Sequence, residues 1–416
     1  MRLQRLGTGG RPAEVLQTLH ARARRKGLSP PAALVGQWFT AAAVIAPEVC
    51  TEPVAAHAAF PSRPRPTTSD TPAPLIGGGW IGYLAYPDGS GRLPPAAGGW
   101  TDSVLRLDTD GCWWYESLTD GPCPAEIAAA VLHPRPELGG WSMHWAPPDR
   151  EIHHRNVEAC KDAIRAGEVY QSCICTQFTG HHTGRPVEFF ADGIDQTNPV
   201  RAAYLEGHWG AVASFSPELY LAMSGNTVIS SPIKGTLPIT ADPAALRVSI
   251  KDVAENVMIV DLVRNDLGRL AVTGTVTVSE LLRVRPAPGV WHLVSTVQAE
   301  IPPTTTAADL IEASFPPASV TGCPKTRARQ LISQWEPEPR GVYCGTVGMI
   351  SPLGGLELNV AIRTVEFTPT GSTVLGVGGG ITIDSDPDAE WQECLDKARS
   401  IITLTSSRTR SLTALA

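Results

Sequence analysis

The apolar run Leu219-Tyr220-Leu221-Ala222-Met223 breaks at Ser224-Gly225-Asn226 and resumes as Thr227-Val228-Ile229. Two strand-length runs around a turn predict a β-hairpin. Elsewhere the period lengthens. Val253, Val257, Val260 and Val263 form one stripe, which predicts a helix from about Ala244 to Leu270. A second helix is predicted from near Pro387 to about Thr403, with Ser385 and Asp386 as caps. Arg150 to Ala166 fits a helix and Glu168 to Phe178 a strand. Trp141 to Trp145, Val342 to Ser351, Leu356 to Phe367 and Thr373 to Ile383 read as further strands. Gly77 to Tyr83 reads as a strand whose glycines allow another backbone to come close. Arg63 to Pro74 is a Pro/Ser/Thr loop. Strands and helices are mixed rather than alternating, so the pattern favours an α+β sandwich over a doubly wound parallel sheet. Ala146-Pro147-Pro148 marks a boundary between an amino-terminal region, 1–146, and a second region, 147–410.

Composition narrows this only a little. The 416 residues are 43% apolar and 18% charged, enough for a sizeable core. A net charge of −7 gives no nucleic-acid footprint, and the basic run Ala21 to Lys26 reads as a solvated helix end. No signal-peptide pattern opens the chain, and Ala41 to Ala46 is too short to span a bilayer. Nine cysteines without metal-finger spacing point to reduced thiols and a cytoplasmic protein. His153-His154 and His181-His182 have no helical partner and are assigned no metal.

Candidate chemistry gathers at a few points. The hairpin brings its outer ends, Glu218 and Lys234, side by side. A lysine between Ile233 and Gly235 is shielded from water, and desolvation would lower its pKa and free the amine as a nucleophile. The bland alternative is a snorkelling surface lysine. Asp252 and Glu255 are i, i+3 on the first helix; Glu390 and Glu393 are i, i+3 on the last, with Lys397 one turn on. Two such pairs suit a shared hard cation such as Mg²⁺, and equally suit two solvated acidic faces. The Gly376–Gly380 run lacks a dinucleotide-binding spacing; it reads as a loop that exposes N–H groups to an anion, or as a plain glycine turn. Arg363 lies in an apolar strand and needs an anionic partner, most often a protein carboxylate.

Taken together these stretches resemble the chorismate-utilising enzymes, nearest the aminating subunits of aminodeoxychorismate synthases. The likeness rests on Ser216-Pro217-Glu218, Pro232 to Thr236, Ala254 to Arg269, Pro288 to Thr296, Thr321 to Lys325, Arg340 to Tyr343, Asn359 to Thr364 and Gly378-Gly379-Gly380. It covers roughly residues 150 to 405. It implies a chorismate-binding α/β sandwich of two large packed β-sheets flanked by helices. It further implies that Glu255 and Glu393 bind Mg²⁺ directly, with Asp252 and Glu390 supporting through water. The ring carboxylate of chorismate would be held by the ion, Lys397, Gly235 and Thr236. Tyr343, Arg363 and the amides of Gly376, Gly378, Gly379 and Gly380 would hold the enolpyruvyl carboxylate. His292 would line the ring pocket, Glu218 would act as general acid, and Lys234 matches the nucleophile of the 4-aminating enzymes. Gln171 stands where water-adding relatives carry a lysine base. Cys173, Leu219 and Ala318 depart from the usual pattern. The sequence has no Gly-x-Cys-x-Gly elbow, so ammonia is expected from solution or a separate glutaminase subunit. The rival readings are an anthranilate synthase large subunit, expected to lack Lys234, and a non-catalytic chorismate- or tryptophan-binding subunit.

Overall fold

In the computed structural model the described residues are 1–62, 75–89, 91–137, 139–287 and 289–406. The loop expected at Arg63 to Pro74, and Pro288, lie outside them. Two antiparallel sheets dominate. The first has twelve strands, in the order Arg2–Thr8, Cys112–Ser117, Ser103–Leu107, Ala41–Ala46, Ala32–Trp38, Arg201–Gly207, Gly210–Ser216, Thr364–Phe367, Ser372–Ile381, Gln171–Thr183 and Gly322–Cys323, with Ser142–Ala146 also on Gln171–Thr183. The second has ten: Ile233–Pro238, Val290–Glu300, Thr227–Ser231, Leu219–Ser224, Gly355–Val360, Thr346–Ser351, Gly79–Leu84, Ala96–Thr101 and Glu52–Pro53, with Thr277–Ala287 on Val290–Glu300.

Side-chain alternation builds the layers. On Ala32–Trp38, Ala32 and Leu34 point one way, towards Ile81, Tyr83, Val347 and Met349 of the second sheet. Ala33 points the other way, into a core with Leu16 and Leu19 of the Pro12–Lys26 helix and Phe189 and Phe190 of the Pro186–Thr197 helix. A strand buried on both faces therefore reads as one apolar run. The outer face of the second sheet packs Tyr220, Val228 and Val297 against Ile259, Val260 and Val263 of the Ile250–Gly268 helix. The result is a helix–sheet–sheet–helix sandwich, as expected. Both sheets contain strands from the amino-terminal region and from the rest of the chain. Gly79 and Gly82 sit where neighbouring backbone presses close: a Cβ on Gly79 would fall 2.1 Å from the Ile350 carbonyl oxygen. The Ala21 to Lys26 run ends a helix closed by Gly27 at φ +65°, and all nine cysteines are free.

Three expectations need correction. The helix expected over 244–270 is two, Ala245–Val248 and Ile250–Gly268, because Ser249 is extended and caps the second through Asp252 N–H. Val257 is 45% exposed, and the inward stripe instead runs through Glu255, Asn256, Ile259, Val260, Val263, Asp266 and Leu267. Valine periodicity misled there, because the inward face also carries polar groups with fixed partners: Asn256 Nδ2 donates to Leu293 O, and Lys325 pairs with Asp266 at 2.6 Å. The long strand expected over Leu356 to Phe367 breaks at Ala361–Arg363, where Arg363 has φ +50°. The strand expected from Val342 starts at Thr346, since Gly341–Cys344 forms a turn and Gly345 N–H donates back to Val342 O.

Candidate active site

Where the two sheets, the Ile250–Gly268 helix and the Pro387–Ile402 helix meet, the charged groups singled out in the sequence converge. Ser216 Oγ donates to Val360 O (2.6 Å) and accepts Glu218 N–H (3.1 Å), fixing the turn that carries Glu218. The hairpin forms as expected, Leu219–Ser224 against Thr227–Ser231. Its outer ends meet, since Ile233 N–H donates to Glu218 Oε1 at 3.4 Å. Pairing of Ile233–Pro238 with Val290–Glu300 shifts register between Ile233 and Thr236. Such a bulge re-aims side chains. Here it turns Lys234 inward to 9% exposure, with Gly235 at φ +85°.

Lys234 Nζ lies 3.5 Å from Glu255 Oε2. The expectation of a depressed lysine pKa is wrong. Burial does push it down, but Cys173, Glu255, Glu218 and Glu393 around it outweigh burial and hold it above the ordinary lysine value. The sequence neighbours of Lys234 are apolar; Glu255 and Glu393 come from two distant helices, Glu218 from the far end of the hairpin and Cys173 from the Gln171–Thr183 strand. Burial raises the Glu218 carboxyl to about 7, against a hydrogen bond from Ser319 and the charge of Lys234. Burial also raises Glu255, with Lys234 and Lys251 opposing.

The two acidic pairs meet as lysine-bridged partners. Lys251, which the sequence reading passed over, sits 2.5 Å from Glu390 Oε1 and 3.9 Å from Glu255 Oε1. Its signal was its i, i+4 spacing to Glu255. Lys397 lies 2.7 Å from Glu393 and donates to Gly378 O at 2.7 Å. Lys397 holds the Glu393 carboxyl below its usual range. Asp252 packs against Gly235, where a Cβ would come 3.0 Å from its Cγ; among the described residues its carboxylate has no hydrogen-bond or ion-pair partner.

The strand expected over Thr373 to Ile383 forms as Ser372–Ile381 and includes Gly376–Gly380, so the glycine run is neither a loop nor a turn. It pairs with Gln171–Thr183 along its length, whereas Thr364–Phe367 on its other side reaches only Leu375. Among the described residues no strand covers the edge beyond. Cys175 N–H donates to Glu336 Oε1 and Cys173 N–H to Thr321 O, so Gly378 and Gly380 opposite them belong to non-hydrogen-bonded pairs. Their amides, and that of Gly376 by the two-residue repeat, face the open edge. Gly379 turns its amide into the ladder.

The remaining groups stand close by. Arg363 has no ion pair among the described residues; burial lowers its pKa, and it lines a cavity of about 450 Å³ with Phe215, Pro217 and Gly289. The protein carboxylate expected as its partner is absent there, leaving a guanidinium able to take an external anion. His292 Nδ1 is 2.9 Å from Thr236 Oγ1, while its buried Nε2 has no hydrogen-bond partner among the described residues. Burial, then Arg363 and Lys397, bring its pKa to about 3, so the ring is neutral. Tyr343 packs under Gly376 with its hydroxyl 3.9 Å from Cys175 Sγ. Gln171 is fully buried with neither side-chain polar atom hydrogen-bonded. It shares a strand face with Cys173.

Whether a hard cation fits can be tested on these groups. Among the described residues no three His, Cys, Asp or Glu side chains are grouped to hold a metal as they stand. Yet Glu255 Oε1 and Glu390 Oε2 are buried without hydrogen-bond partners. A Cβ on Gly379 would lie 3.0 Å from Glu390 Oε2, and one on Gly380 2.9 Å from Glu255 Oε2. Carboxylate oxygens facing a glycine-lined gap are the donor set Mg²⁺ takes. The residues fit.

Known proteins carry the same arrangement of sequence and fold. A family model described as chorismate binding enzyme matches residues 128–403. Aminodeoxychorismate synthase component 1 of Salmonella typhimurium is 35% identical over 375 residues, covering 83% of this chain and 79% of that protein. The Escherichia coli protein of that name is 39% identical over 261 residues, 61% of this chain and 57% of its own. The crystal structure of anthranilate synthase component I from Streptococcus pneumoniae superposes with a TM-score of 0.68 at 26% identity, covering 81% of this chain and 83% of that one.

Proposed function

The chain belongs to the chorismate-binding enzymes, and on that footing we propose that it aminates chorismate at C4, giving 4-amino-4-deoxychorismate for para-aminobenzoate and folate synthesis. The observation that carries this reading is the buried Lys234 amine, turned inward beside Glu255 and Glu218. Once it has lost its proton, an amine so placed can act as a covalent nucleophile.

The substrate is a dianion. Arg363, Tyr343 and the open-edge amides of Gly376, Gly378 and Gly380 receive one carboxylate; Lys397, Gly235 and Thr236 receive the other. A buried unpaired guanidinium and free strand amides gain most from such a ligand, because water no longer screens them. Glu255 and Glu393 would hold Mg²⁺, supported by Asp252 and Glu390, and the ion supplies fixed positive charge for the ring carboxylate. Lys234 is protonated at rest, so it sheds a proton to solvent before it reacts. Its nitrogen then bonds to C2, the ring double bonds shift, and the C4–O bond breaks. Glu218 gives its proton to the departing hydroxyl, which leaves as water. A carboxyl with a pKa of about 7 holds that proton at neutral pH and releases it readily. Ammonia next bonds to C4, the double bonds shift back, the C2–N bond to Lys234 breaks, and the proton lost by ammonia returns to Glu218. Neutral His292, its Nε2 unpartnered, lines the ring without adding charge. A glutaminase subunit would supply the ammonia.

The test uses chorismate, ammonium and Mg²⁺. Wild type is expected to yield 4-amino-4-deoxychorismate, and quenched protein to carry a covalent adduct on Lys234 by intact-mass analysis. Lys234→Ala is expected to lose 4-amination by roughly a hundredfold or more. Undiminished 4-amination by that variant, with no adduct in wild type, removes Lys234 as nucleophile. Anthranilate as the wild-type product would replace the function itself.

A further inference from the structure

We propose that Lys251 is an internal counter-cation, which keeps the place of the divalent ion between Glu255 and Glu390 and withdraws to solvent when the ion binds. This rests on the Mg²⁺ reading above. Lys251 Nζ bridges the two acids at 2.5 Å from Glu390 and 3.9 Å from Glu255. Those acids are only 2% and 5% exposed, and each has an oxygen without a hydrogen bond. Two carboxylates this buried need a cation, and without one they repel.

Three lysines face three acids here: Lys234, Lys251 and Lys397 against Glu255, Glu390 and Glu393. These six charges balance, and Asp252, packed against Gly235 without a cationic partner among the described residues, adds one negative charge. A divalent ion added without any departure would leave a net positive charge in a partly buried site and set the ion against the lysine that already holds the two acids. Lys234 cannot leave, being 9% exposed and enclosed by Gly380 and Glu255. Lys397 is held at Gly378 O as well as at Glu393. Its side chain is as exposed as that of Lys251, 37%, but it keeps that backbone contact, whereas among the described residues Lys251 is held by the two carboxylates alone. The Lys251 side chain is 36% exposed and begins in the first turn of its helix, so rotation about its stem reaches water without backbone movement. The same position explains why the acids stand as lysine-bridged pairs rather than as a preformed cage.

Magnesium chloride alone, without chorismate, is the probe. Lys251→Met keeps the stem and removes the competing charge. Calorimetric titration should show Mg²⁺ binding roughly ten- to a hundredfold tighter than to wild type, the worth of one hydrogen bond between charged groups. In EDTA the variant should melt below wild type, and Mg²⁺ should raise its Tm by more. Lys251→Arg retains the charge and should bind Mg²⁺ no more tightly than wild type. In the unmodified protein, Mg²⁺ should increase amine labelling of Lys251, read by peptide mass spectrometry, while Lys234 stays protected. If Lys251→Met does not fold in either buffer, Lys251→Gln is read by the same criteria. Wild type and Lys251→Met binding Mg²⁺ equally, with Lys251 labelling unmoved by the ion, would overturn the proposal and leave the Mg²⁺ site standing. If neither protein takes up millimolar Mg²⁺, the metal reading fails and this inference falls with it.

Discussion

Glu218 shows most directly how burial shapes a single group. Its folded pKa of about 7 lies above the unfolded value of 4.5, so the native state holds the proton more strongly. The sign follows from proton linkage: this contribution is fully present below about pH 4.5 and is lost as pH rises through about 7. Glu218→Gln cannot ionise. Its stability relative to wild type should therefore improve between pH 5 and pH 8, by at most about 3 kcal/mol for a shift of this size. Turnover should fall about 10²- to 10⁴-fold, the usual worth of a general acid. Urea denaturation at the two pH values checks the first effect; an offset independent of pH would show that the carboxyl is not buried against its charge. At this scale the sequence told which residues meet but not their charge states. Glu218 and Lys234 were legible because a hairpin of known turn brings its ends together. The raised pKa of Lys234 was not, because Glu255 and Glu393 arrive from helices that local spacing cannot dock. Lys251 was overlooked although its spacing to Glu255 was in plain view, since such i, i+4 pairs are ordinary on helix surfaces.

Among the elements, the Ser372–Ile381 strand carries the clearest expectation. A Cβ on Gly380 would sit 2.8 Å from Lys234 Nζ and 2.9 Å from Glu255 Oε2, both ends of side chains. Gly380→Ala should fold, push these groups apart and lower kcat by at least about tenfold, with Tm nearly unchanged. Gly348 is the contrast. There a Cβ would lie 2.0 Å from the Glu357 carbonyl oxygen, which cannot step aside, so Gly348→Ala should cost about 1–3 kcal/mol or more. Thermal melts and steady-state rates of both variants distinguish the two roles. The hairpin and the last helix, with Asp386 as its cap, matched their sequence signals. The strand expected over Thr373 to Ile383 formed, but the glycine run inside it was also read as a loop, because glycines carry no side chains to show a strand's alternation. Arg363 broke a predicted strand for a related reason: a left-handed residue leaves no trace in an apolar pattern.

For the whole molecule, the mixed order of strands and helices made a sandwich legible but not its pairing. Nothing local says that Leu84 lies opposite Thr346, or that Ala33 lies opposite Tyr204. The proposed ammonia supply is also tested at this scale. With no Gly-x-Cys-x-Gly elbow in its sequence, the purified chain is expected to turn over with ammonium salts and to ignore glutamine until a glutaminase subunit is added. Product formation from glutamine by the chain alone would contradict this.

The interleaving of the sheets also bears on how the chain is made. Strand Gly79–Leu84 finds its inner neighbour only when Thr346–Ser351 has been synthesised, and Ala32–Trp38 must wait for Arg201–Gly207. At about 5–20 residues per second the first of these waits lasts on the order of tens of seconds. Throughout it the emerging amino-terminal strands present open edges and apolar faces, the features that template aggregation. Successful biosynthesis should thus depend on chaperone cover of the nascent amino-terminal third, and slower translation would lengthen the exposed interval.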